Sequence, residues 1–336
     1  MKCSLKGLIK RVDTKYPFTL IDVGALDGIP LKWRVLNDCI KAIAFEPDPR
    51  EFCKLESSKN KKYYNYALHN VSSDLKYFIA NGRGLSSILK PNLSILSEYM
   101  DSERFEVAKE EIIQSDRVKN LDAVIKEGDV KDVDFIKLDT QGSELAILHG
   151  GQDRLIPNIF GAQVEVEFIE MYEKQPLFRD VDKFMSEKGF QLIDLRRQYW
   201  KRSCCNDYKG KGQLVFGDAL YFKKINILIS ELSNVQDSLY RRSKVIKSIV
   251  TCLVYKMYDY AVLLLKSSCE HGYIDEREYV ELHSIIESHS KKGLFGKYYL
   301  DCKMYNRLLS VLNIFGPRSY LGWADSDICI ANVKDN

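Results

Sequence analysis

The chain has 336 residues, 45% of them hydrophobic and 29% charged, a balance that suits a globular protein with room for one large domain or two ordinary ones. A formal net charge of +3 is too mild to imply a polyanionic partner, so no nucleic-acid partner is expected. Nine cysteines, an odd number without a C-x-x-C pair and with Cys204 and Cys205 adjacent, give no zinc-ligand spacing and fit a reducing cytoplasm.

The opening MKCSLKGLIKRVDTKY is basic but has no apolar core of signal-peptide length, so export is not expected. Thr19 to Gly28, TLIDVGALDG, then combines an apolar strand (Leu20, Ile21, Val23) with Gly24, where backbone can approach a ligand closely. Gly28 closes a short turn bracketed by Asp22 and Asp27, and Pro30 suits the first position of a helix carried on by Leu31 to Cys39. Ala42 to Phe45 reads as a second strand ended by Glu46-Pro47. Asp48-Pro49-Arg50-Glu51 looks like a capping box opening a helix to about Ser58. A third strand, Lys62 to Tyr66, leads to Ala67-Leu68-His69. Lys76 to Ile79 and Ser86 to Leu89 flank an Asn-Gly-Arg-Gly turn suited to a hairpin. Glu110 to Gln114 reads as a strand and Asn120 to Glu127 as a short helix.

Val133 to Leu138 is a clearer strand, ending in Asp139-Thr140-Gln141-Gly142 before a helix from Ser143 to Gly150-Gly151. Gln163 to Phe168 follows as a strand, Val181 to Lys188 as a helix, and Phe190 to Leu195 and Gly217 to Phe222 as the last strands. Arg196 to Gly212 between them reads as a loop rich in basic and aromatic residues. This alternation predicts a mostly parallel α/β sheet with helices on both faces. After Lys224 the apolar spacing becomes purely helical (Leu228, Leu232, Val235, Leu239). Asp275 and Glu278 form another capping-box candidate, and Tyr298 to Val311 a further helix before Gly316-Pro317. The division is therefore 1–224 and 225–336, the second a helical appendage that packs on the sheet or mediates homo-oligomer formation. Val245 to Leu265, interrupted by Lys247, Lys256 and Asp259, reads as a buried helix pair with no membrane span.

Glu46 follows Gly24 by roughly 20 residues at the end of the neighbouring strand, the place from which an acid accepts hydrogen bonds from ribose hydroxyls. The expected ligand is nucleoside-like. The sequence lacks both G-x-G-x-x-G and the Walker lysine motif, which disfavours NAD and ATP, and the acids of the turn suit a sulfonium or amino group better than phosphate.

Taken together, TLIDVGALDG, AFEPDP, VDFIKLDTQGSELAILHGG and LVFGDALYFKK resemble the FkbM-type S-adenosylmethionine-dependent methyltransferases over Phe18 to Lys224. The resemblance implies a Rossmann-like class I methyltransferase sheet of seven strands, the last antiparallel, and methyl transfer to a hydroxyl of a sugar in a surface glycan or secondary metabolite. Thr-Gln-Gly departs from the family's usual acid before that glycine, and the region after 225 lies outside the resemblance. By position, Gly24, Ala25 and Gly28 would pass under the methionine part of the cofactor, with Asp22 and Asp27 near its amino group or ordering the turn. Glu46 would hold the ribose, and Phe45, Pro47, Ala67 and Leu68 would enclose the adenine. Asp139 is the first candidate for the base that takes the hydroxyl proton and Glu167 the second, ahead of His69 and His149. In the basic loop, Tyr199, Trp200 and Arg202 are candidates for the acceptor, by stacking on a sugar ring or meeting an anionic group. No metal is expected. The alternatives are a protein or nucleic-acid acceptor, or a cofactor-binding module without turnover.

Overall fold

Every residue of Thr19–Val23 is buried, with Leu20, Ile21 and Val23 supplying apolar side chains to both faces, and this strand, β1, lies at the centre of the sheet. The computed structural model describes residues 4–127, 132–205 and 212–290, and near the C-terminus 327, 329, 330, 333 and 334. The expected helix over 298–311, Gly316-Pro317, and Tyr208, Lys209 and Lys211 of the basic loop lie outside the described residues. The remaining strands of the main sheet are β2 (Lys41–Phe45), β3 (Lys61–Tyr64), β4 (Phe135–Leu138), β5 (Gly161–Glu167), β6 (Phe190–Trp200) and β7 (Gln213–Lys223). Their order is β6-β7-β5-β4-β1-β2-β3. Only β7 runs against its neighbours, pairing antiparallel with both β6 and β5. The expected Rossmann-like sheet of seven strands, the last antiparallel, is the one observed.

The two sheet faces are covered from different parts of the chain. One face, with Ile21, Val23, Ile136 and Val164, packs on Ile147 and Leu148 of the Glu144–His149 helix and on Phe184 and Met185 of Phe178–Glu187. The other face presents Phe18, Leu20, Phe135, Phe160 and Phe222, and is closed by Leu8 and Trp33 together with helices from beyond residue 224. These C-terminal helices are Ile225–Ser233, Ser238–Val254, Tyr258–Glu270 and Glu276–Ser290. The Ser238–Val254 helix starts where the Asp237 carboxylate accepts the amides of Leu239 and Tyr240 at 2.9 and 3.1 Å. It is buried nearly all round, including Lys244 and Lys247, whose ammonium groups meet Asp132 and Asp134 just before β4 at 2.8–3.3 Å. The Val245 to Leu265 stretch is thus a buried helix pair, and among the described residues no helix is long and apolar enough to cross a membrane.

Several local readings are corrected by tertiary context. The segment after Pro30 is a six-residue 3-10 helix, Leu31–Leu36, and the helix capped by Asp48 is only Pro49–Phe52. There Glu51, instead of bonding back to the cap, turns to Arg83 and Lys54. Leu75–Ala80 pairs with Val107–Ile113 and not with 86–89, leaving the Phe78–Ser87 bridge as the remnant of the predicted hairpin. The supposed loop from Arg196 begins as strand: β6 continues to Trp200, and Arg196 finds the Asp218 carboxylate across the ladder, Nε to Oδ2 2.8 Å. Cross-strand charge pairing makes a strand of a sequence too polar to look like one.

Candidate active site

The carboxyl ends of β1, β2 and β4 open on one crevice, the place where ligands of such sheets bind. Gly24 stands at its floor with φ +79°, and a side chain there would put Cβ 1.9 Å from the Asp139 carbonyl oxygen. Only glycine allows β1 and β4 to turn this close together. The Gly24 and Ala25 amides both point at the Phe45 carbonyl (3.0 and 3.3 Å), tying the turn to the end of β2. Gly28 also has positive φ, +77°, and lies against the Tyr63 hydroxyl.

Of the residues the sequence nominated for the cofactor, Gly24, Glu46, Pro47, Ala67 and Leu68 line the crevice. Ala25 and Phe45 are buried behind it, Phe45 stacking on Tyr64 at 5.7 Å. Asp22 is also buried, on the sheet face toward Lys137, 3.8 Å from its ammonium, and its Oδ1 has no hydrogen-bond partner. Asp27 and Gly28 are not among the crevice walls: Asp27 is exposed and holds Arg83 at 2.7 Å. Arg83 also grips Glu51 (2.8 Å), so the 75–113 segment is clamped over the crevice, to which it adds Tyr77, Ser86 and Ser87. This roof is not legible from local sequence, because its residues reach the site only through the long-range pairing of Leu75–Ala80.

The electrostatics are those of crowded carboxyls. Burial raises Glu46 to about 7, partly opposed by the Asp48 amide that donates to its Oε1 at 2.9 Å. Burial likewise raises Asp22 to about 7, against the pull of Lys137. Asp139 is different. Burial pushes it up, but Lys137, 3.1 Å away, and hydrogen bonds from Glu165 and Gln141 outweigh that and hold it below the usual carboxylate range. Glu165 and Glu167, both on β5, are pushed well above theirs, first by burial and then by neighbouring acids. Of this group, Glu165 is therefore the acid that binds a proton more readily, and Asp139 the one that gives it up more readily.

Gln141 joins these groups to a second cavity. Its backbone has φ 60°, a left-handed conformation that disfavours a non-glycine residue by roughly 1–2 kcal/mol. Ser87 Oγ donates to its carbonyl at 2.7 Å, and its Nε2 donates to Glu165 at 2.6 Å and Asp139 at 3.3 Å. The hydroxyl of fully buried Tyr172 lies 3.0 Å from its Oε1. On the far side of Gln141 is a cavity of about 180 Å³ walled by Phe105, Met171, Trp200 and Phe216 and floored by Glu165 and Glu167. Trp200, a nominated acceptor residue, is in that wall with its ring edge-on to Phe105 and Phe216 (5.9 and 5.7 Å). Tyr199 and Arg202 are not among its walls: Tyr199 lies beneath Arg197, and Arg202 binds Glu98 at 2.7 Å and covers the Tyr99 ring. His149 packs on Phe184, away from the crevice. Tyr172, Phe105 and Phe216 carried no sequence signal, whereas Gln141 was marked by the glycine that follows it.

The residues fit S-adenosylmethionine: a glycine floor without room for a side chain, an acid at the end of β2, and an unpartnered buried carboxylate oxygen on Asp22 beside the turn. Sheet order and crevice together define a class I S-adenosylmethionine-dependent methyltransferase. The chain belongs to the FkbM family, whose Methyltransferase FkbM domain matches residues 22–192, and it uses S-adenosylmethionine. Solved structures similar to it include magnesium protoporphyrin IX methyltransferase from Synechocystis with bound SAM, at 7% identity over 66% of this chain and 76% of that one, TM-score 0.31. Another is TrmK of M. capricolum with S-adenosyl-homocysteine, at 9% identity over 86% and 97%, TM-score 0.30. No curated protein matches the chain.

Proposed function

We propose that this enzyme is an O-methyltransferase acting on a sugar hydroxyl, in a surface glycan or a secondary metabolite, in the cytoplasm. The observation that supports the acceptor class is the cavity beyond Gln141, with aromatic walls and a carboxyl floor. Rings pack on the C–H faces of a saccharide, and carboxyls bond its hydroxyls. The charge of Asp139, held low by Lys137, disfavours a phosphodiester beside it, which argues against a nucleic-acid acceptor.

The cofactor, when bound, supplies a methyl group already activated by positive sulfur. Glu46 would accept hydrogen bonds from the ribose hydroxyls, and Pro47, Ala67 and Leu68, which line the same crevice, would enclose the adenine. Gln141 and Glu165, which lie between the crevice and the cavity, would orient the acceptor hydroxyl. Asp139, kept ionised by Lys137, would take the hydroxyl proton as the oxygen displaces sulfur from the methyl carbon, leaving S-adenosylhomocysteine as the thioether product. Glu167, which burial and neighbouring acids push well above the usual carboxylate range, is the poorer candidate. Because the methyl carbon is activated, holding the two reactants in line provides much of the rate.

Calorimetric titration with S-adenosylhomocysteine, paired with a tritiated-methyl screen of extract fractions, tests this reading. We expect one-to-one binding and label in saccharide, with Asp139→Asn retaining the binding and losing about 10²-fold or more of the transfer. Label only in RNA or protein would reassign the acceptor. Binding without transfer to any fraction would make the chain a cofactor-binding module.

A further inference from the structure

A third cavity, of about 620 Å³, opens at the amino ends of β1 and β2, the opposite end of the sheet from the crevice. Five residues of extended strand separate the two, roughly 16 Å, so neither cofactor nor acceptor reaches it from the active site. Its volume falls within the roughly 300–1,000 Å³ of small-molecule sites.

Four lysines converge on it from separate segments: Lys15 before β1, Lys41 at the start of β2, and Lys59 and Lys62 around the start of β3. Lys15 is shared with Asp237 at 3.4 Å, whereas Lys41 and Lys59 have no carboxylate within ion-pair reach among the described residues. The acid in the wall, Asp132, is committed to Lys244 and Lys247.

The same cavity has three aromatic walls. Tyr16 and Tyr240 meet edge to face at 5.1 Å, and Tyr64 is held by stacking on Phe45 and Tyr66, each at 5.7 Å. Lysine ammonium groups act as point charges for phosphate, and fixed aromatic rings offer faces and edges to a planar ring.

We propose that this cavity binds a phosphorylated, ring-bearing ligand of nucleotide size, its phosphates on Lys41 and Lys59 and its ring among Tyr16, Tyr64 and Tyr240. It is a site separate from the methyl-transfer chemistry and binds without displacing the cofactor.

The test is calorimetry on the full chain, saturated with S-adenosylhomocysteine, titrated with UDP, ADP and inorganic pyrophosphate. A nucleoside diphosphate should bind one-to-one, at least tenfold more tightly than pyrophosphate, with affinity falling as salt is raised. Lys41→Glu/Lys59→Glu should weaken it at least tenfold and leave S-adenosylhomocysteine binding unchanged. The milder Lys41→Gln/Lys59→Gln should act in the same direction, should the charge reversal impair folding. No saturable nucleotide binding, undiminished binding in both variants, displacement of S-adenosylhomocysteine, or pyrophosphate binding as tightly as the nucleotides would each overturn the proposal.

Discussion

Strand β4 has carboxylates at both ends, and their surroundings are opposite. At its start, Asp132 and Asp134 face Lys244 and Lys247, two charges against two, all almost fully buried. At its finish, Asp139 shares a single lysine, Lys137, with Asp22, while Glu144, Glu165 and Glu167 crowd behind. The balanced cluster joins the Ser238–Val254 helix to the sheet and is complete without a ligand. The unbalanced one sets more carboxyls than cations against a crevice, so that their pKa values spread apart and a cationic ligand would relieve the crowding. Balance marks the structural end and imbalance the chemical end.

Three experiments sharpen or break that contrast. The largest effect should come from ending the chain at residue 224, which uncovers Phe18, Leu20, Phe135, Phe160 and Phe222 together. The loss should exceed the whole stability of an ordinary domain, about 5–15 kcal/mol, so no cooperatively melting soluble fragment should be recovered. A well-behaved 1–224 fragment would mean that this face is closed by other means.

Next is Lys247→Met, which leaves the buried aspartates short of one partner. Denaturant titration should show a loss of about 3–5 kcal/mol, with S-adenosylhomocysteine affinity of the folded fraction unaltered. A loss below about 1 kcal/mol would show that the ion cluster is not what pins the helix.

The smallest effect, Glu46→Gln, has a pH-dependent sign. Burial raises this carboxyl in the folded protein to about 7, above its ordinary value of 4.5. Its ionisation therefore opposes folding: the favourable contribution is complete below about pH 4 and disappears as pH climbs through about 7. The variant should melt about 3 °C or more above the parent at pH 8, match it near pH 4, and bind cofactor less tightly. An equal gain at both pH values would remove ionisation of Glu46 from the account.

Much of the chemical end was legible in the sequence. Gly24, Glu46 and Asp139 are each announced by an apolar run that stops at a polar or glycine residue, because strand, turn and ligand contact follow one another along the chain. The acceptor wall was only partly legible. Trp200 stood out by type, but its neighbours Phe105 and Phe216 come from segments that meet through sheet register, which local periodicity does not encode. The structural end was the least legible: Lys247 reads as an interruption of an apolar stretch and Lys244 falls outside it, yet together they are the helix's attachment. A buried charge declares itself only when its partner, more than a hundred positions away, is known.

The closing of one sheet face by the C-terminal helices also sets a timetable for synthesis. The Asp13 amide is hydrogen-bonded to Ser243 Oγ across 230 positions of sequence, and Phe18 and Leu20 share a core with Ile246 and Ile249. At roughly 5–20 residues per second, the first strand waits tens of seconds at the slower rates, and at least about ten at the faster, before its covering helix leaves the ribosome. Throughout that interval half the sheet is an open apolar surface. The nascent chain, more than the finished enzyme, is therefore the form that needs a chaperone.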